Sequence, residues 1–547
     1  MKKYMITCYS PTVEYVDRMQ WIGTFESEPD ITLAAFFDRI RYPLRRDCGG
    51  LGLCGKCQVA IAHGNTLPEN LLFEDVCACQ KVIDSDLVVV LPPPVVQNET
   101  PKKSRLGKQP VKRGSGRFVV AVDLGTTTIV LALVDLVSHD ILVTVRKRNP
   151  QAAIGNDVIS RIQYASRGPE YLLRAQTFAI QAISELIEEA CYHVGGKPEN
   201  VEKIVVAGNT VMSYLFYGIN PEAIGKWPFV PPQKEFPARP AVSLGIKATP
   251  KAIVSLLPAV TGFVGGDIIS GLLAIAPKRS ATELLASRSS LLFIDIGTNG
   301  EMVLLQGGRL LVAATAAGPA FEGAQIRCGM IGQRGAIDGV DYSPVPYWAG
   351  DKKAATGPLS IVGNVPPVGI CGSGLVDAIA EMYRNGLVSS RGRLAGQSDR
   401  LPALEMFEDR MAFPLSKEHK IWITQRDIRQ IQLAVAAIQA GTRLLMEHCG
   451  IDLSRLNRIR LAGAFGSALR RENARQIGLL PLNFPIDGIR YCGNTSLAGA
   501  IAAALDPRLF IDAAVLANKA ENVDLATLPH FQDVFVDAMN FPPIQNK

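Results

Sequence analysis

Two stretches of this 547-residue chain end an apolar run in the same four-residue pattern, and that repeat constrains the fold more than any other feature. Val120-Ala-Val-Asp-Leu-Gly-Thr-Thr-Thr128 and Phe293-Ile-Asp-Ile-Gly-Thr-Asn-Gly300 both read as strands closing on Asp-x-Gly-Thr, with Asp123 and Asp295 lying 172 residues apart. A continuous apolar run that stops at a glycine turn suits an interior strand covered on both faces. Two further runs, KIVVAGN and RIRLAG, alternate with helical patterns. The expectation is an α/β fold built from two duplicated subdomains, over 118–290 and 291–547.

Each turn carries the same chemical equipment. Asp123 can hold Mg²⁺ through water, while the N–H groups and hydroxyls of Gly125, Thr126, Thr127 and Thr128 can hold a phosphate. A strand, glycine and turn also occur for purely structural reasons, but the second copy makes a clamp of the pair. Asp295, Gly297, Thr298 and Asn299 would grip a phosphate chain from the opposite side. Gly463-Ala464-Phe465-Gly466, directly after RIRL, offers a turn where backbone could border a nucleoside. Asp267, after Gly265-Gly266, reads equally as a group that orients attacking water or Mg²⁺ and as the N-cap of the helix IISGLLAIA. Val206 to Met212 ends a strand in small and polar residues. Gly318 to Gly323 is a further turn near the phosphates, in which Glu322 reads equally as an ordinary surface residue. Gly369 to Gly374 has the small-residue texture of a packed helix start. No G-x4-G-K-[ST] sequence occurs, which argues against a P-loop.

The cysteines mark a different chemistry. Cys48, Cys54, Cys57 and Cys79 read C-x5-C-x2-C-x21-C, the first three on a glycine-rich loop. Three thiolates from one tight loop and one distant thiolate suit a 2Fe–2S cluster, and plant-type ferredoxins use nearly this spacing. Structural zinc is the rival, although four-cysteine zinc sites usually pair two C-x2-C knuckles. The segment resembles the β-grasp ferredoxin domain, whose last ligand precedes a strand in a pattern like A-C-Q; that resemblance favours Cys79 over Cys77. The remaining cysteines show no second ligand spacing.

Composition divides the chain and narrows its class. Residues 1–95 mix β-type stretches with one helix candidate, TLAAFFDRI, and carry a net charge of −3. Residues 96–117, rich in Pro, Gly, Lys and Ser, read as a flexible basic linker of net charge +6. The whole chain is only +6, so a nucleic-acid partner is not expected. No apolar run approaches the length of a membrane span, and the N-terminus lacks a signal-peptide core. A cytoplasmic location and no membrane association are therefore expected, and a reducing compartment suits a metal-bound cysteine cluster. One helix is fully legible: Thr424-Gln-Arg-Asp427 resembles a capping arrangement before apolar residues at spacings of three and four.

The paired Asp turns, the glycine-rich turn after RIRL and the small-residue elements between them resemble the phosphate, connecting and adenosine motifs of the actin, sugar-kinase and heat-shock-chaperone superfamily, a duplicated ribonuclease H-like fold. Joined to the N-terminal cysteine cluster, with AGNTVM, DIGTNGE, AGPAFEG, CGSGL and LAGAFG, the chain resembles the reductive activators of corrinoid-dependent enzymes and methyltransferases. That resemblance implies ATP-dependent transfer of one electron from the cluster to a corrinoid protein, returning inactive Co(II) to Co(I). It implies a 2Fe–2S cluster, ATP and Mg²⁺ as cofactors, and as partners a Co(II) corrinoid protein and an external low-potential electron donor, with a homodimer left open. In that frame Asp123, Asp267 and Asp295 are catalytic candidates. Two other readings stay open: an ATPase that senses redox state or clamps a partner as a chaperone without delivering electrons, and an activator of a radical dehydratase.

Overall fold

The computed structural model describes residues 3–11, 19–40, 58–64, 74–91, 114–277, 279–343, 358–408, 410–463 and 469–544. The chain forms two compact units, Met1–Lys112 with Pro150–Tyr164, and Arg113–Asn149 with Ala165–Lys547. Residues 96–113 of the basic segment lie outside the described residues, and apart from Pro150–Tyr164 the halves expected at 118–290 and 291–547 fall in the second unit. Among the described residues no helix is long and apolar enough to cross a membrane.

In the first unit, β1 (Tyr4–Pro11), β2 (Met19–Ser27), α1 (Leu33–Arg39), β3 (Gln58–His63), β4 (Glu74–Cys77) and β5 (Leu87–Val90) form a five-stranded sheet in the order β2-β1-β5-β3-β4. β1 and β5 pair in parallel and the other neighbours are antiparallel. Ile6, Phe36, Phe37, Ile61 and Val89 fill one core between the sheet and α1. A second helix, α2 (Val158–Ala165), lies almost wholly in this unit's later segment.

The second unit holds two large sheets of like design. The first contains β6 (Phe118–Leu124), β7 (Thr128–Asp135), β8 (Ile141–Arg148), β9 (Val201–Gly208), β10 (Arg239–Pro240) and β11 (Ile253–Leu256). The second contains β12 (Leu291–Ile296), β13 (Gly300–Gln306), β14 (Arg309–Thr315), β21 (Arg458–Gly463), β22 (Ile489–Tyr491) and β23 (Ala520–Asn522). Between them in sequence lie two small sheets: β15 (Ala336–Val340), β16 (Leu359–Ile361) and β17 (Gly369–Ile370), then β18 (Glu405–Phe407), β19 (Arg410–Ser416) and β20 (Ile421–Thr424).

The large sheets run β10-β11-β9-β6-β7-β8 and β22-β21-β12-β13-β14-β23. In each, a three-strand antiparallel meander continues through its first strand into two parallel strands. β6 therefore corresponds to β12, β9 to β21 and β11 to β22, which is the duplication the repeated Asp-x-Gly-Thr foretold. The helices repeat it. α3 (Pro169–Val194) packs on β7 and β8, and α8 (Gln425–His448) packs likewise on β13 and β14. The capping box of α8 forms as read, with Thr424 Oγ1 accepting from Asp427 N and Asp427 Oδ2 accepting from Thr424 N at 2.9 Å.

α5 (Gly266–Ile275) follows β11, and α10 (Thr495–Leu505) follows β22. The two helices pack directly on one another, and α10 also rests on β6 and β9 of the opposite sheet. Gly499 makes this approach possible: a Cβ there would lie 2.0 Å from the Ser270 carbonyl oxygen. Ser270 Oγ adds a 2.6 Å hydrogen bond to the Ser496 carbonyl. Around the pair, Val119, Ala121, Phe293, Val303, Leu497 and Ala500 form one core shared by both sheets. Smaller helices complete the unit: α4 (Thr210–Tyr217), α6 (Ala281–Leu285), α7 (Gly372–Arg384), α9 (Arg471–Gln476), α11 (Arg508–Lys519) and α12 (Phe531–Ala538).

Candidate nucleotide site

β6 and β12 end at one cavity of about 700 Å³, within the range of small-ligand sites. Asp123, Gly125, Thr126, Thr127, Thr128, Asp267, Asp295, Gly297, Thr298, Asn299 and Gly463 all line it. Ala464, Phe465 and Gly466 lie outside the described residues, as do Cys48, Cys54 and Cys57.

The first turn is held from below by Asn149, whose Nδ2 donates to the Gly125 carbonyl at 2.9 Å and whose N–H donates to the Thr127 carbonyl at 2.8 Å. Asp123 accepts from Asn494 Nδ2 at 2.7 Å and from Ser496 Oγ at 2.8 Å, both at the start of α10. Asn494 is also that helix's N-cap, accepting from Leu497 N at 2.8 Å. The second turn closes on itself through Gly297 N–H to the Asn299 carbonyl at 3.0 Å. Thr127 and Thr298 join the two turns, their hydroxyls 3.2 Å apart, and Thr298 Oγ1 lies 3.1 Å from both carboxylate oxygens of Glu322. A threonine hydroxyl has one hydrogen. Thr298 gives its hydrogen to Glu322 and accepts the one from Thr127.

Glu322 is thus no ordinary surface residue; it is half-buried in the cavity wall. Asp267 is not the N-cap of its helix either. That position belongs to Gly265, and Asp267 sits in the first turn of α5 with Oδ1 2.9 Å from Ile268 N. The small-residue start at Gly369 is packed as expected: a Cβ on Gly372 would lie 2.0 Å from the Phe321 carbonyl oxygen.

The electrostatics show what the cavity is built for. Burial pushes the Asp295 carboxyl up to about 8, with the charges of Asp267, Asp123 and Glu322 adding to it. Burial, then the Asp123 charge, raises Asp267 to about 7. Asp123 is raised by burial against the opposing pull of its two hydrogen-bond donors. Glu301, directly opposite Asp295 in the β12–β13 hairpin, is pushed well above the carboxylate range by burial and by Asp267 and Asp295. Like carboxyls gathered in a poorly hydrated cleft keep one another protonated, and an opposite charge placed among them would favour their ionised forms. Among the described residues no three or more acidic, His or Cys side chains stand close enough to ligate a metal directly. The arrangement suits Mg²⁺ held through water and phosphate.

Asn494, Ser496 and Asp338 escaped the sequence reading, whereas Asn209 and Glu301 lie within motifs it named without being singled out. Glu301, Asn494, Ser496 and Asn209 line the cavity, as does Asp338, whose Oδ1 is buried without a hydrogen-bond partner among the described residues. Two of them carried a signal: Gly208-Asn209-Thr210 and Gly493-Asn494-Thr495 are the same tripeptide, and both asparagines cap helices. At the end of β21, Gly463 takes φ +115°, and a Cβ there would lie 2.1 Å from the Ile296 carbonyl oxygen. Its own carbonyl accepts from Tyr491 Oη at 2.6 Å.

In the first unit, Cys79 is buried on the turn after β4, among the core residues beside α1. Gln58, the residue after Cys57, pairs with Cys77, two residues before Cys79.

Two like sheets whose first strands end in facing Asp-x-Gly-Thr turns define the actin, sugar-kinase and heat-shock-chaperone class. Within it, the family model for the C-terminal domain of RACo, the ASKHA domain, matches residues 289–547, and that for the RACo middle region matches residues 118–280. The chain belongs to the RACo family, the reductive activators of corrinoid proteins. It is 34% identical over 436 residues to the corrinoid activation enzyme RamQ of Eubacterium limosum, covering 77% of this chain and 69% of that protein. It is 26% identical over 452 residues to the [Co(II) methylated amine-specific corrinoid protein] reductase of Methanosarcina barkeri, covering 78% and 77% respectively. A solved structure described as a reductive activator for corrinoid, iron-sulfur protein superposes with a TM-score of 0.70 at 29% identity, over 98% of each chain.

Proposed function

We propose that this enzyme spends ATP to move one electron from a 2Fe–2S cluster on residues 1–95 to the Co(II) form of a corrinoid protein, restoring Co(I) for methyl transfer. The observation that carries the reading is the whole-length likeness to a reductive activator, which takes in the N-terminal sheet as well as the ATPase-like unit. The strand order β2-β1-β5-β3-β4 with α1 packed against it supports a β-grasp ferredoxin domain. Cys48, Cys54, Cys57 and Cys79 would hold the cluster, and the buried turn position of Cys79 fits that set better than Cys77 on a paired strand. Bound there, the cluster supplies one electron at low potential, replenished by an external low-potential donor.

The proposed work is energetic. A plant-type cluster sits near about −400 mV, and each ~59 mV still lower is a tenfold unfavourable equilibrium for one electron. ATP in the cavity would offset that gap by driving a change in the clamp. Thr126, Thr127, Thr128, Thr298 and Asn299, with the N–H groups of Gly125 and Gly297, hold the phosphates. Asp123, Asp267 and Asp295 hold Mg²⁺ through water and orient the attacking water. Asp338 offers its buried Oδ1 to a nucleoside hydroxyl. The chain works in the cytoplasm, as a monomer or homodimer.

The test is Co(I) absorbance against time, with full-length protein, a Co(II) corrinoid protein and a low-potential reductant, with and without ATP. Cobalt reduction that needs ATP is expected. Equal reduction without ATP would refute the coupling. ATP hydrolysis stimulated by the corrinoid protein with no Co(I) formed would favour the partner-clamping reading instead.

A further inference from the structure

Far from the nucleotide cavity, on the second sheet, lies a recess of about 250 Å³ lined by Arg279, Arg458 and Arg460, by Ser287 and Ser289, and by an apolar floor including Leu291. Arg458 and Arg460 are two apart on β21 and so share one face of the sheet. Arg460 pairs directly opposite Arg490 of β22. Like charges directly opposite on neighbouring strands destabilise a sheet unless something neutralises them. Among the described residues no carboxylate does so here. Among the described residues none of Arg279, Arg458, Arg460 and Arg490 makes an ion pair with a carboxylate, and no acidic side chain lines the recess. Their contacts are neutral: Arg458 Nη2 to Ser289 Oγ at 2.9 Å, Arg460 Nη1 to the Ile459 and Gly488 carbonyls at 3.0 and 3.3 Å, and Arg279 Nη1 to Ser287 Oγ at 3.5 Å. Burial pushes the Arg460 guanidinium down from its ordinary value against the opposing pull of Cys492, and the charges of Arg490 and Arg458 add to the lowering.

We propose that this recess is a second binding site, for a small organic phosphate whose apolar body lies on the leucine floor and whose phosphate meets the arginines. Guanidinium groups match phosphate geometry with paired N–H donors, and the two serine hydroxyls orient them. Leu291 opens β12 four residues before Asp295, so an occupant would sit about 13 Å along that strand from the Asp295 end of the nucleotide cleft. A ligand there would bear on the strand that presents Asp295.

The experiment is calorimetric titration of phenyl phosphate and of orthophosphate into the full-length protein, without Mg²⁺. The expected result is saturable binding of phenyl phosphate, at least tenfold tighter than orthophosphate. Arg458→Gln and Arg279→Gln should each weaken it at least fivefold. Arg279 is an exposed loop residue whose replacement leaves the core intact, so the test survives if the β21 variant misfolds. Thr298→Ala, altered in the nucleotide cleft, should bind phenyl phosphate as the unaltered protein does. Absence of binding to the unaltered protein, equal binding by both arginine variants, or loss confined to Thr298→Ala would each overturn the assignment.

Discussion

Thr127 and Thr298 stand 171 residues apart in sequence, and their hydroxyls meet at 3.2 Å. The contact is not between equivalent positions of the repeat, since Thr298 corresponds to Thr126. The first turn reaches across with its next residue, and the hydrogen it donates leaves Thr298 free to donate to Glu322.

That chain of hydroxyls makes Thr298→Val informative. Valine keeps the shape and removes the relay, taking one donor from Glu322 and leaving the Thr127 hydroxyl without the acceptor it has here. A polar group so stranded costs about 1–3 kcal/mol. ATP hydrolysis should fall at least tenfold, and Thr298→Ser should restore most of it, with hydrolysis rates and thermal melts as the readouts.

Asp295 gives a pH-dependent test. Its folded value of about 8 lies above the ordinary carboxyl value, so the unfolded chain loses this proton first. The carboxyl's contribution to stability without ligand is therefore full below about pH 4 and lost as pH rises towards 8. Mg²⁺ with ATP favours the ionised form, so binding should release protons and tighten between pH 6 and 9. Calorimetry in two buffers of different ionisation enthalpy would count those protons. Asp295→Ala should nearly abolish hydrolysis, raise the melting temperature of the ligand-free protein at pH 8 and leave its iron spectrum unchanged. Unaltered ATPase activity in the folded variant would count against the site.

Gly463 and Gly493 separate two costs of a side chain. Both have positive φ, +115° and +73°, but a Cβ at Gly493 meets nothing within 4 Å. Gly493→Ala should cost about 1–2 kcal/mol, the penalty of left-handed backbone alone. Gly463→Ala must also displace the Ile296 carbonyl and should cost clearly more in urea unfolding. Equal losses would mean that the contact relaxes freely.

The cysteines can be tested by colour and iron content. Protein purified without oxygen should hold about two irons and two sulfides per chain. Cys54→Ser should bleach it, while Cys77→Ser should not. Loss of colour with Cys77→Ser and retention with Cys79→Ser would exchange the fourth ligand.

The sheets were legible because a buried strand ending in Asp-x-Gly-Thr is a local signal, and it occurs twice. The capping of α8 was equally local, four residues long. Asn494 and Ser496 were not legible as partners of Asp123, because that hydrogen-bonded cluster spans more than 370 residues of chain and depends on α10 crossing to the other sheet. Glu301 closes the motif read as the second clamp, and the hairpin turning at Gly297–Asn299 sets it opposite Asp295. Asp267 reads as a cap from sequence because an acid after two glycines fits either role, and only the backbone angles at Gly265 place the cap there.

The contact between Gly499 and Ser270 has a mechanical consequence. Two helices that touch backbone to backbone, with no bulk between them, can roll on each other but cannot draw apart without opening a void in the shared core. The Asp123 carboxylate is fastened to the start of one of those rollers through Asn494 and Ser496. Closure of the two sheets on a bound phosphate would therefore be felt as torque on α10, an axle that carries the motion out of the cleft towards α11.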